Sequence, residues 1–148
     1  MTFGRLAIDR DGRFVYDGTP VTHPGIVELL FAHLRPARHG RFEVEIGPVR
    51  VSVAIEDTPY VVIRVGDGEP VDLTLQDGSR EPLDPTTLVV GSQGALYCRV
   101  RGGVAEARFA RGPHHALGSR LTETPDGGFA LVLAGREFRV GDRLARGG

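Results

Sequence analysis

A hairpin–helix–hairpin order occurs twice along this chain. Residues 14–53 read as a two-strand turn, a helix and a second two-strand turn, and residues 97–140 read the same way. The helix of the first block is short and strongly apolar, so it needs something wrapped around it, and the hairpin that follows is the candidate. The expected fold is α+β: two similar hairpin–helix–hairpin lobes packed as one compact unit. The lobe boundary is expected near residues 66–70, giving an N-terminal lobe over 1–66 and a C-terminal lobe over 67–148.

Turn chemistry fixes the first pairings. Asp17-Gly18 suits a two-residue hairpin turn, because both residues tolerate positive φ, and it sets Tyr16 opposite Thr19 and Phe14 opposite Val21. Gly47-Pro48 suits a type II′ turn, with Gly at the first central position and a fixed negative φ at the second. That register aligns Ile46 with Val49, Val44 with Val51 and Phe42 with Val53 on one face, and brings Glu45 to Arg50 on the other. A strand over Tyr60–Val65 follows.

Between the hairpins lies a helix. Thr22 or His23 caps it, Pro24 sits in its first turn where the missing N–H costs nothing, and Pro36 stops it. Ile26, Val27, Leu29, Leu30, Phe31 and Leu34 cover more than one stripe, which predicts a largely buried helix.

The middle of the chain, rich in Gly, Pro and Asp, predicts two strands over residues 71–75 and 87–90. A Gly102-Gly103 turn then pairs Val100 with Ala105, Cys98 with Ala107 and Arg99 with Glu106, the last as an ion pair on the solvent side. A weak helix over residues 113–121 follows. An Ala134-Gly135 turn sets Leu131 against Phe138 and Phe129 against Val140. Residues 42–53 and 129–140 carry matching apolar positions except that Val49 is answered by Arg136.

Composition narrows the class. The net charge is −1, which argues against a nucleic-acid binder. No apolar stretch reaches membrane-span length, and the N-terminus carries no basic start followed by an apolar run. Cys98 is the single cysteine, which precludes an internal disulfide and fits a reducing compartment; the expected setting is a bacterial cytoplasm. There is no Lys and no Asn, so all 18 basic Lys/Arg positions are Arg, the bias of a GC-rich genome rather than a sign of phosphate recognition.

The run IDRDGRFVYDGTPVTHPGIVELLFAHL, followed by VSVAIEDTPYVV, resembles the start of a bacterial family of unknown function, DUF1285. The stretch YCRVRGGVAEARFARGPHHALGSRL, closing with GGFALVLAGREFRVG, resembles the end of the same family. The resemblance spans nearly the whole chain in order. It implies an α+β fold of two related motifs, each with curved antiparallel strands around a helix, and a binding or signalling role with a small ligand between the lobes, but no established activity. Two segments depart from the family pattern: IGPVRVSV after Phe42, and a second helix carrying His114, His115 and Gly118 in place of larger apolar residues.

Site candidates are few. Glu56 and Asp57 sit at a strand end before Pro59 and Tyr60, where side chains can converge on a ligand; the competing reading is a turn in which Asp57 bonds local backbone. His33, Arg35, Arg38, His39 and Arg41 cluster at and after the first helix, as an anion site or as favourable charge near a helix C-terminus. Ligand-binding candidates are thus Glu56, Asp57, Tyr60, Arg38 and Arg41. His114-His115 lacks the i,i+4 spacing of a zinc helix, and Asp9-Arg10-Asp11-Gly12 lacks the later oxygen ligands of a calcium loop, so neither a metal nor a cofactor is expected. Gly66-Asp67-Gly68 is no dinucleotide fingerprint, and Ser92 is no nucleophile elbow. Cys98 reads as a packed thiol.

No catalytic residues assemble from spacing, so the leading expectation is a non-enzymatic module binding a small ligand or a protein partner in signalling. The alternatives are an enzyme using Glu56 and Asp57, and a structural homodimer joined through strand edges or the Tyr97 face.

Overall fold

The strand pairings follow the turn residues. In the computed structural model, which describes residues 5–144, Asp17 and Gly18 adopt φ of 49° and 82°, and Tyr16 lies opposite Thr19. Gly47 has φ 58°, and the second hairpin closes with Ile46↔Val49, Val44↔Val51 and Phe42↔Val53 in register. Glu45 meets Arg50 at 3.0 Å across the opposite face.

The chain divides between Pro59 and Tyr60 into two units. The N-terminal unit contains β1 (Leu6–Ile8), β2 (Phe14–Tyr16), β3 (Thr19–Pro20), α1 (Pro24–Ala32), β4 (Leu34–Pro36), β5 (Phe42–Ile46) and β6 (Val49–Ile55). Its six strands form one sheet in the order β3-β2-β1-β6-β5-β4. β1 escapes periodicity because it is three residues long, yet it joins the two hairpins, antiparallel to β2 and parallel to β6 (Leu6↔Val53, Ile8↔Ile55). Leu6, Ile8, Phe14, Phe42, Val44 and Val53 are buried on the inner face.

α1 starts as its sequence dictates: His23 Nδ1 accepts hydrogen bonds from the Gly25 and Ile26 N–H groups. It ends at Ala32, four residues before Pro36. Proline forces its predecessor out of the helical region, so Leu34-Arg35-Pro36 is extended and pairs with β5 instead. The expected burial is also corrected. Of the helix residues only Phe31 is buried, its ring 4.7 Å from Phe14, while Ile26 is 48% and Leu29 45% exposed. A sheet on one side covers one stripe of a helix, whatever the hydrophobicity of the rest.

The C-terminal unit contains β7 (Tyr60–Val65), β8 (Asp72–Leu75), β9 (Arg80–Pro82), β10 (Val89–Val90), β11 (Leu96–Val100), β12 (Ala105–Phe109), α2 (Arg111–Gly118), β13 (Leu121–Glu123), β14 (Phe129–Leu133), β15 (Arg136–Arg139) and β16 (Gly141–Asp142). One sheet has the order β16-β10-β11-β12-β7-β8-β9, and β13-β14-β15 form a second. The sequence assigned Tyr60–Val65 to the first lobe. Its pairing with β8 and, in parallel, with β12 puts it in the second unit.

The β11–β12 register is as expected, but Arg99 and Glu106 do not pair. Arg99 Nε donates to the Gly103 carbonyl, and Glu106 takes Arg143 through two nitrogens at 3.1 and 2.8 Å. α2 begins two residues earlier than expected, directly after β12. Asp126 accepts from Thr124, the Gly128 N–H and Arg139, which closes the β13–β14 turn and, chiefly through Arg139, holds its carboxyl well below the usual range.

The registers of β4-β5-β6 and β13-β14-β15 run in step. Leu34↔Val44, Pro36↔Phe42, Val44↔Val51 and Ile46↔Val49 correspond to Leu121↔Leu131, Glu123↔Phe129, Leu131↔Phe138 and Leu133↔Arg136, each residue displaced by 87 positions. β1 runs parallel to the end of β6 (Ile8↔Ile55), and β10 runs parallel to β16 (Val90↔Asp142), where the second residues again differ by 87.

Edge strands are short. β3, β4, β9, β13 and β16 have at most three residues and β15 has four, and β3, β4 and β9 end in proline, which cannot donate to an added strand. Among the described residues, no helix is long and apolar enough to cross a membrane.

Candidate functional site

Among the described residues, β6 is longer than either of its neighbours in the sheet, and a groove opens along it. β5 pairs with it from Val49 to Val53, whereas β1 pairs only from Val53 to Ile55. Val49 to Ser52 therefore have a strand on one side and none among the described residues on the other. A groove of about 720 Å³ opens there, lined by β6 from Val49 to Ile55 together with Arg5, Leu6, Gly40, Arg41 and Phe42.

Charge in this groove has one sign. Arg5, Arg41 and Arg50 line it, and no carboxylate does. Arg50 is neutralised by Glu45 at 3.0 Å, and Glu45 in turn takes Arg35 at 2.9 Å. Among the described residues, the guanidiniums of Arg5 and Arg41 meet no carboxylate.

A second hollow, of about 550 Å³, shares Arg5, Ala54 and Ile55 with the first and is lined also by Ala7, Val15, Asp9, Asp17 and Glu56. Its carboxylates are committed to backbone N–H groups. Asp9 accepts from the Asp11 and Arg13 N–H groups and from Arg13 Nε, Asp17 from the Arg5 N–H at 2.7 Å, and Glu56 from the Arg10 N–H at 2.6 Å. The Asp9 bonds close an Asp-rich turn, while Asp17 and Glu56 tie their turns to backbone 12 and 46 positions away.

The expected site residues do not converge. Glu56 is exposed at the rim of the second hollow, and Asp57 is half-buried beyond it. Arg38 lies in the exposed turn between β4 and β5, whose His39 has φ 59°, and only Arg41 after that turn lines the main groove. Tyr60 belongs to the C-terminal unit. It is 4% exposed, burial raises its phenol pKa, and the Arg101 guanidinium stacks 5.0 Å above its ring.

Arg101 is itself held by Asp77 at 2.6 Å and Ser79 at 3.1 Å, while its N–H faces both Glu81 oxygens. That cluster ties the β11–β12 turn to the β8–β9 hairpin and satisfies its own charges. Cys98 is buried, and burial pushes its thiol pKa up to about 12, with Glu81 and Glu106 adding to the rise. His114 and His115 meet edge to face at 5.9 Å. Among the described residues, no group of three or more His, Cys, Asp or Glu side chains is placed to hold a metal ion.

Sequence reasoning missed Arg5, Arg50 and Ser52. Arg50 was legible as the partner of Glu45, but its place in a groove depends on how β1 pairs with β6. Arg5, directly before β1, enters the groove through that same pairing.

No family model matches the chain. No curated protein matches it either. Two solved structures do. A DUF1285 family protein from Silicibacter pomeroyi is 25% identical, with a TM-score of 0.73 over 99% of this chain and 84% of that one. A DUF1285 family protein from Shewanella baltica is 14% identical, with a TM-score of 0.65 over 78% of this chain and 91% of that one. The α+β chain described above has the fold of DUF1285 family proteins, in agreement with the resemblance its sequence motifs carry.

Proposed function

We propose that this chain is a non-enzymatic binding module and that its ligand enters the groove beside β6 as an anion. One observation carries the reading: Arg5, Arg41 and Arg50 line a single groove with no carboxylate among its lining residues. Among the described residues, the guanidiniums of Arg5 and Arg41 meet no carboxylate, so an incoming carboxylate or phosphate gains charge-assisted hydrogen bonds there. The proposed setting is the bacterial cytoplasm, which the single buried thiol fits.

A thermal-shift titration with citrate, phosphate and pyrophosphate tests this. Stabilisation by the polyanions that disappears in an Arg5→Ala/Arg41→Ala protein supports the groove. Equal stabilisation of both proteins, or none of either, refutes it.

The enzyme reading, with Glu56 and Asp57 as the working carboxylates, has less support, because Glu56 already accepts from the Arg10 N–H. The homodimer reading through strand edges is weakened by the short, proline-bearing edge strands. We also infer that the chain is built from two copies of one motif. The constant displacement of 87 positions between paired residues supports that reading.

A further inference from the structure

We propose that the exposed apolar stripe of α1, beside β3, docks an extended apolar segment of a partner protein laid parallel to β3. The C-terminal unit shows the same arrangement completed. Its hairpin β11–β12 leads into α2, as β2–β3 leads into α1, and α2 packs against β7, which runs parallel to β12. α2 buries Pro113 and Leu117, the third and seventh residues of the helix, one turn apart on one side. The third and seventh residues of α1 are Ile26 and Leu30, yet Ile26 is 48% exposed and Leu30 is half-buried. Leu29, beside them on the helix, is 45% exposed. β3 ends its sheet, and among the described residues no strand of the N-terminal unit takes the place that β7 takes beside β12 and α2.

The backbone beside that stripe is prepared in the same way. The Val21 N–H donates to the Phe14 carbonyl at 2.9 Å, so by strand alternation the next N–H, that of Thr22, faces away from β2. Its counterpart after β12 is the Ala110 N–H, which donates to the Val62 carbonyl of β7 at 3.0 Å. Among the described residues, the Thr22 N–H meets no acceptor. Pro20 offers a carbonyl but no N–H, so the edge alone would hold a strand weakly, and the stripe on α1 supplies the rest of the contact. β7 also shows what fits: Tyr60, Val61 and Val62 are aromatic or β-branched, and all three are buried. A guest of that composition meets β3 with main-chain bonds and α1 with apolar side chains, the combination from which strand addition draws affinity and selectivity.

The test is fluorescence anisotropy of the full chain with a labelled peptide carrying residues 58–65 of its own sequence, beside a shuffled peptide of the same composition. The ordered peptide is expected to bind and the shuffled one not. A Val62→Pro peptide lacks an N–H on the side that meets β12 within the chain, so it should bind about tenfold more weakly. Ile26→Asp in the chain should weaken binding about tenfold or more, because it sets a carboxylate against apolar side chains. Asp in the first turn suits the helix dipole, so the melting temperature should stay near that of the parent. Should Ile26→Asp fail to fold, Leu29→Asp decides.

Equal binding of the ordered and shuffled peptides, or no binding of either, overturns the proposal. So does unchanged affinity in the aspartate variants, which would seat the peptide away from α1. A peptide-free dimer that Ile26→Asp returns to monomer overturns it too, since a second copy then holds the stripe. The anion titration reads the groove beside β6 separately, so neither result decides the other.

Discussion

The Arg143 guanidinium lies 3.8 Å from the centroid of the Tyr97 ring and grips Glu106 with two nitrogens. Both members of the ion pair are roughly three-quarters buried, with side-chain exposures of 28% and 22%. This residue fastens β16 to β11 and β12 at the edge of the sheet. Stacking and bidentate pairing both need the planar guanidinium.

Arg143→Ala should therefore destabilise the C-terminal unit by about 1–3 kcal/mol, the range for a partly buried charge-assisted pair with a cation–π contact. Arg143→Lys should recover less than half of that loss. Chemical denaturation of the three proteins measures the difference.

Gly91 and Gly118 predict opposite signs. A Cβ on Gly91 would come within 2.6 Å of Tyr97 Cε2 and 3.4 Å of Arg143 Cδ, two side chains that hold each other in place, so Gly91→Ala should cost about 1–3 kcal/mol. A Cβ on Gly118, in the last turn of α2, would meet nothing within 4 Å, so Gly118→Ala should stabilise by about 0.4–1 kcal/mol. Thermal melts of the two variants in the same buffer decide both.

How much of this was legible in the sequence depended on how local each cause is. Gly47-Pro48, Asp17-Gly18 and Ala134-Gly135 each form a two-residue turn whose length sets the pairing beside it, and those registers were readable to the residue. β1 and β9 were not readable, because three residues carry no period. The burial of α1 was misjudged because hydrophobicity says which residues could be covered, not how far a neighbouring sheet reaches. The groove stayed hidden for the same reason: Arg5 and Arg50 are 45 positions apart, and only the parallel placement of β1 on β6 brings them to one edge.

The helix α1 tests that correction. Phe31 is its buried anchor, stacked edge-on against Phe14, so Phe31→Ala should cost about 3–5 kcal/mol and strip hydrogen-exchange protection from α1. Leu29→Gln, at a position 45% exposed, should change stability by less than about 0.5 kcal/mol. Comparable losses from both would mean that Leu29 is covered.

Cys98 should be silent to thiol reagents in the native protein. Burial raises its pKa from 9.0 to about 12, so the folded state holds the neutral thiol while the unfolded state ionises first. The sign follows: the contribution to stability is full below pH 9, and it falls as pH rises from 9 towards 12. Alkylation at pH 8 should track global unfolding, and Cys98→Ala should flatten the alkaline side of the stability profile.

The most direct test of the binding reading is native mass spectrometry of the freshly purified chain beside its Arg5→Ala/Arg41→Ala variant, each exposed to citrate and pyrophosphate. The groove predicts a retained anion on the parent, released on denaturation and missing from the variant. An anion retained equally by both proteins, or by neither, would contradict it.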